Sequence, residues 1–294
     1  MEFSDMAELR RVCAERLGER VGAQYAGLAR RGFRLEAGRG VAGAGVDAVT
    51  ETARGATRPG VASKGARGAT RPGAASKGAP DAARPTGRCT LGGPALLNPG
   101  TPWPDLGGVP LSLLAVLDTE VLGGASGLLN FFSLDPDIPC EEYQRLPAAS
   151  PAASRVIPAA PLNAIETPAP TPARRYPAHP VHPIEVVMLP DCWDVPDTAL
   201  EYDPAEHWGA ASLLLATMSD LDGNTANTHR ALGWPDTSYA TPVTPPGSLH
   251  LLQLAQEPAL DWIWGEAGTL YFTIPEEAYA KGDFSAARAE FRCC

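Results

Sequence analysis

The apolar residues of this chain come in short bursts, and their lengths limit what it can fold into. After Arg88 six runs stand out: "LSLLAVL" (Leu111 to Leu117), "LLNFF" (Leu128 to Phe132), "IEVVML" (Ile184 to Leu189), "SLLLATM" (Ser212 to Met218), "LHLLQLA" (Leu249 to Ala255) and "TLYFTI" (Thr269 to Ile274). Each is five to seven residues long, which suits a strand and is short for a helix. Between them lie stretches drawn from 30 glycines and 30 prolines, which punctuate a chain of 294 residues. No apolar run approaches the length of a membrane helix, so no membrane segment is expected and the chain reads as soluble.

The amino terminus follows another period. Met6, Leu9, Val12, Cys13, Leu17, Val21, Tyr25 and Leu28 recur at three- and four-residue steps behind Ser4 or Asp5, which predicts a capped amphipathic helix to about Ala29. "GFRLEAG" then closes a leader, residues 1–51, packed on the main domain. This terminus mixes charges from its second residue and lacks an export-type apolar core, so the expected location is cytoplasmic. Six cysteines without a CxxC pair fit reduced thiols in that compartment.

Charge is unevenly spread. Residues 52–88 carry eight basic and one acidic side chain, whereas 89–294 carry eight basic and twenty-five acidic. The basic segment is a tandem repeat, "ARGATRPGVASKG" (53–65) then "ARGATRPGAASKG" (66–78), with almost nothing large and apolar to bury. It reads as a disordered insertion. With no aromatic residue to stack on bases, it does not argue for nucleic acid. A second stretch, 146–183, is rich in proline and alanine, and its prolines predict an extended surface connection outside the sheet.

The remaining pattern repeats in order. Leu91-Gly92-Gly93-Pro94 leads to "LSLLAVL" and then to Gly127 and "LLNFF"; Leu232-Gly233-Trp234-Pro235 leads to "LHLLQLA" and then to Gly268 and "TLYFTI". This predicts an α+β fold whose β-rich core consists of two weakly related halves, 89–145 and 184–294, joined by 146–183. In "LGGPALLNPGTPWPDLGG" (91–108) glycine and proline stiffen a loop on which Trp103 is a large apolar anchor, aiming the chain into the strand at Leu111.

The blocks "LGGPALLNPGTPWPDLGGVPLSLLAVLD", "GLLNFF", "THRALGWPD" and "LLQLAQEPALDWIWGEAGTLYFTIPEEAYAKGDFSAARAEFRC" resemble the YwqG-like family, a bacterial domain of unknown function, over roughly Gly32 to Cys294. The resemblance implies an α+β fold with prominent sheet and no particular activity. Two departures stand out: "LAVLD" lacks the glutamine that relatives often carry before the aspartate, and "GWPDTSYA" lacks a glutamine that often follows this turn.

Catalytic patterns fail on spacing: there is no GxSxG, Walker loop, HExxH or helix-opening GxGxxG. His179 and His182, with Cys192 and His207 downstream, do not make a converging zinc set, so neither metal nor cofactor is expected. The final Cys293-Cys294 lacks the polybasic approach of a prenylation tail. In "DWIWGEAG", Asp261, Trp262, Trp264 and Glu266 share one face if extended, which suits either a saccharide cleft or tryptophans pinned in a core with carboxylates in water. The expected function is non-catalytic binding, with a basic protein steered to the acidic body; the resemblance, to a family whose members are suspected of serving beside toxin genes, implies the immunity or antitoxin type. The alternative is a small-molecule or carbohydrate-binding protein, or a hydrolase, with a pocket between the halves near Trp103, His229, Trp234 and Glu266.

Overall fold

In the computed structural model the described residues are 1–37, 88–135, 150–219, 228–236, 241–265 and 267–293. The tandem repeat, Glu266, Cys140 and Cys294 lie outside them. The described residues belong to one compact unit, while residues 39–85 lie outside them. In chain order the strands are β1 (Glu2–Phe3), β2 (Arg30–Ala37), β3 (Thr90–Leu91), β4 (Ala95–Leu97), β5 (Asp105–Leu106), β6 (Val109–Pro110), β7 (Ser112–Asp118), β8 (Leu128–Ser133), β9 (Ser154–Ala159), β10 (Ile165–Thr167), β11 (His179–Met188), β12 (His229–Leu232), β13 (Ser248–Leu254), β14 (Thr269–Pro275) and β15 (Arg288–Arg292). The helices are α1 (Met6–Gly27), α2 (Ala210–Met218) and α3 (Glu276–Ala280).

Eleven of these strands form one antiparallel sheet in the order β15-β14-β13-β12-β2-β11-β3-β7-β8-β9, with β1 added on β11. The sheet curls until its ends meet: the Ala289 N–H of β15 donates to Ser154 Oγ of β9 at 2.9 Å, so the two edges cover one another. Inside the curl Leu35, Leu117, Phe131, Leu252, Trp262 and Phe272 form the main core. Five of the six apolar runs are strands where expected. Those of β7 and β8 are buried continuously because both faces are covered: Leu114, Leu117 and Phe131 face the main core, whereas Leu113, Val116 and Phe132 pack with Leu97, Leu106 and Leu111 in a second cluster. The β7–β8 register slips between Leu113 and Ala115, and that of β13–β14 between His250 and Leu252.

Three expectations are corrected. "SLLLATM" is helix α2: its buried residues Ala210, Leu213, Leu214 and Met218 have helical spacing, and the Ala210 N–H donates to Asp197 Oδ1 at 2.8 Å. "GFRLEA" (32–37) is no closing leader but part of β2, inside the sheet between β11 and β12, so the amino-terminal segment completes the main domain. The 146–183 stretch contributes β9, β10 and the start of β11, prolines included. Pro183 is tolerated because its nitrogen faces the same side as the Val181 N–H, which donates to the Cys89 carbonyl at 3.0 Å. On that side β3 pairs β11 only at His179 and Pro180, and β1 only at Val187 and Met188, so Pro183 removes no ladder bond.

Helix α1 is capped by Asp5, whose Oδ1 accepts the Ala7 and Glu8 N–H groups at 2.8 and 2.9 Å. It is not the continuous helix expected to Ala29: Gly18, at φ 75° and ψ 164°, breaks it into two segments. They meet where Gly22 touches Cys13, so closely that a Cβ on Gly22 would lie 2.5 Å from the Cys13 carbonyl oxygen. With α2 they bury Leu9, Cys13, Tyr25, Leu213 and Leu214 against Val187 and Leu189. No helix among the described residues is long and apolar enough to cross a membrane.

Candidate functional site

Trp103, His229 and Trp234 do not gather into one pocket. Trp103 is the anchor its proline-flanked strap suggests: its Nε1–H donates to the Leu111 carbonyl at 2.8 Å, and its ring meets Phe132 edge-on at 5.0 Å. His229 is buried in β12. Its Nδ1 accepts the Ala255 N–H at 3.2 Å, which leaves the ring proton on Nε2, 3.5 Å from Glu257 Oε2. Both nitrogens are thus engaged inside the protein. The hydrogen bond from His229 holds the Glu257 carboxyl down at about 2, against the opposing pull of burial. The Trp262 ring lies beside the imidazole and stacks on Trp264, 4.7 Å away, with both indoles in the core; the Asp261 carboxylate is exposed and pairs with Arg174 at 3.0 Å. Glu266 lies outside the described residues.

Trp234 belongs to a different feature. A cleft of about 1190 Å³ opens beside it, between the turn Cys192–Asp194, the start of α2 and the loop 242–248, with Arg30 and Glu276 on its wall. Its described lining takes no residue from 89–145, so it does not lie between the two halves. Proline, leucine and tryptophan are prominent in the walls: Trp193, Trp208 and Trp234 all line it, three of the chain's six tryptophans. The Trp208 ring is 97% exposed. A bare indole at the mouth of a concavity is an uncompensated apolar surface.

The polar groups are held from behind. Asp191 caps the turn by accepting the Trp193 N–H at 3.0 Å. Asp194 Oδ1 accepts the Val243 and Thr244 N–H groups, both at 3.2 Å, and so ties the opposite loop to the turn. The Trp234 Nε1–H donates to the Leu28 carbonyl at 2.8 Å, and the Arg30 guanidinium lies 3.9 Å over that ring with Glu276 at 3.9 Å. Burial pushes the Asp194 carboxyl up to about 6, in spite of the two backbone donors. Burial also lowers Arg30 from the ordinary arginine value, with Glu276 and Asp194 opposing.

Three buried polar atoms in this lining have no hydrogen-bond partner among the described residues: Arg30 Nη1, Asp194 Oδ2 and Thr244 Oγ1. Orphaned buried atoms are rare in native proteins, because each carries a desolvation cost of about 1–3 kcal/mol. All three lie behind the cleft surface rather than on it, and seven further such atoms lie elsewhere among the described residues, Arg230 Nη1, Trp262 Nε1 and Trp264 Nε1 among them, so they do not by themselves mark a ligand site. Among the described residues no group of three or more His, Cys, Asp or Glu is placed to hold a metal ion. Of the lining, sequence reading singled out Trp234 and, in a zinc set it set aside, Cys192. Arg30 lies in a segment taken as leader, and Trp193, Trp208, Asp194 and Thr244 sit in irregular loops with no spacing that announces them.

Comparison with curated proteins finds no match. The family model for a domain of unknown function (DUF1963) matches residues 89–293, and the chain belongs to that family.

Proposed function

We propose that this chain is a non-catalytic binding protein and that the cleft beside Trp234 is where it binds. The observation that carries this is one concavity of about 1190 Å³ lined by three tryptophans, of which Trp208 is bare to solvent. A site built for chemistry needs a nucleophile or a proton-transfer pair in contact. The described lining does hold a thiol, Cys192, whose S–H donates to Asp191 Oδ1 at 3.3 Å, but no histidine; Asp194 and Arg30 are braced for hydrogen bonding, and the one histidine proposed from the sequence, His229, is committed internally. The finer family reading is the YwqG-like group, with a bacterial origin and a cytoplasmic place. The duplication proposal draws support from pairing order: β3-β7-β8-β9 follows β11 as β12-β13-β14-β15 follows β2, and β7 and β13 carry register slips at matching places.

The test is a screen of sugars, amino acids, nucleotides and short basic peptides, read by the indole ¹H–¹⁵N resonances. Ligands are expected to move Trp193, Trp208 and Trp234 and leave Trp103, Trp262 and Trp264 in place, without turnover. Hits that move only the second set, or that are chemically converted, would overturn the reading.

A second reading, capture of a basic protein of the toxin type, draws on the acidic excess of residues 89–294, eight basic against twenty-five acidic side chains. It predicts association that slows steeply as salt rises; affinity purification at low salt that recovers no basic partner counts against it.

A further inference from the structure

We infer that the cleft beside Trp234 is a docking site for a basic, amphipathic segment of another protein; this rests on the binding role proposed above and names its occupant. The selection comes from the exposed charges at the mouth. Residues 190–219, which form one wall, contain six acidic side chains, Asp191, Asp194, Asp197, Glu201, Asp203 and Glu206, and no lysine or arginine. Glu201 is paired with Arg20, and Asp191 and Asp194 are turned to backbone N–H groups. Asp197 and Asp203 each accept one backbone N–H and stay exposed, as does Glu206. Asp203 and Glu206 belong to the turn that runs into Trp208.

The tryptophans show what such a mouth takes. At Trp234 the protein supplies its own cation: the Arg30 guanidinium lies 3.9 Å over the ring and 3.9 Å from Glu276. Trp208 repeats the ring and the carboxylates without the cation, since its indole is almost wholly in solvent and residues 203 and 206 of the same turn are exposed acids. A lysine or arginine laid over Trp208 meets the negative face of the ring and these carboxylates together. Behind the mouth, Trp193, Leu215 and Pro245 offer an apolar floor to the side chains on the other face of the same segment. The charges also turn other occupants away. A nucleic acid or an anionic membrane brings phosphates against the carboxylates, a second copy of this chain brings the same acidic rim, and a neutral small molecule gains nothing from it.

The experiment titrates the full chain with a short helical lysine–leucine peptide, the same peptide with alanine for leucine, the same with glutamate for lysine, and phosphatidylserine vesicles, followed by calorimetry and the indole resonances. The lysine–leucine peptide is expected to bind, to move Trp193, Trp208 and Trp234, and to weaken as salt rises. The alanine peptide is expected to bind about tenfold more weakly, and the glutamate peptide and the vesicles not at all. Trp208→Ala, at a side chain almost wholly in solvent, is expected to weaken binding about tenfold or more. The pair Asp203→Asn and Glu206→Gln is expected to weaken it several-fold and to flatten its salt dependence, with unfolding transitions of all variants checked against the parent. Binding that survives both sets of substitutions, or that the alanine peptide, the glutamate peptide or the vesicles match, overturns the proposal, as does a dimer of the parent chain that Trp208→Ala disperses. So do the three indoles staying still with the lysine–leucine peptide while a sugar, nucleotide or amino acid moves them, an outcome that spares the binding role; indoles that no probe class moves defeat both.

Discussion

Replacing Asp194 by asparagine isolates the electrostatic cost of building the cleft. The carboxyl is pushed from an ordinary 3.8 up to about 6, first by burial, so the folded state binds a proton more tightly than the unfolded chain does. The stability contributed by protonated Asp194 is therefore fully present below pH 3.8 and is lost as pH rises through about 6. A shift of roughly two units at about 1.4 kcal/mol per unit puts the cost of the buried charge near 3 kcal/mol, as an order of magnitude, at neutral pH. Asparagine keeps the carbonyl oxygen that accepts the Val243 and Thr244 N–H groups and removes the charge. Urea unfolding of parent and Asp194→Asn at steps from pH 4 to pH 7.5 should show the variant gaining on the parent by up to about 3 kcal/mol across that range, most of it between pH 4 and 6. Titrations common to both proteins cancel in the difference. A difference that does not change with pH would mean that Asp194 is well solvated or paired, and would remove the account of it as a buried charge.

Other perturbations probe the frame around the cleft. Gly22→Ala forces a methyl to within 2.5 Å of the Cys13 carbonyl oxygen, and chemical denaturation should register a loss of about 1–3 kcal/mol from overpacking between the two segments of α1. Ser154→Ala removes the acceptor for the Ala289 N–H where the sheet closes; a loss of about 1–3 kcal/mol is expected, with faster amide exchange at Ala289. Glu257→Gln removes a carboxylate held at about 2 by His229, so its stabilisation is present above the ordinary 4.5 and disappears as pH falls through about 2. Acid unfolding should accordingly separate this variant from the parent at pH 7 and bring the two together near pH 2; constant separation would contradict the pairing.

The sheet was legible because its signal is local. Runs such as "LSLLAVL" and "TLYFTI" are strand-length and bounded by turn residues, and Trp103 between two prolines announced a stiff anchor that the structure shows bonded to Leu111. The errors have local causes too. "SLLLATM" has the length of a strand, and only burial of Leu213, Leu214 and Met218 on one side, with Asp197 at the amino end, selects the helix. Prolines argued 146–183 out of the sheet, yet whether a missing N–H matters depends on which side of a strand has a neighbour.

What the sequence determined by itself was the kind of most elements, since periodicity and turn residues act over a few positions. The place of β2 in the middle of the sheet, the closure through Ser154, and the meeting of Arg30, Asp194, Trp208, Trp234 and Thr244 around one cleft were decided by tertiary structure alone. Residues 30 and 244 are brought together by the packing of distant segments, and no short-range pattern encodes which residues will end up lining the same space.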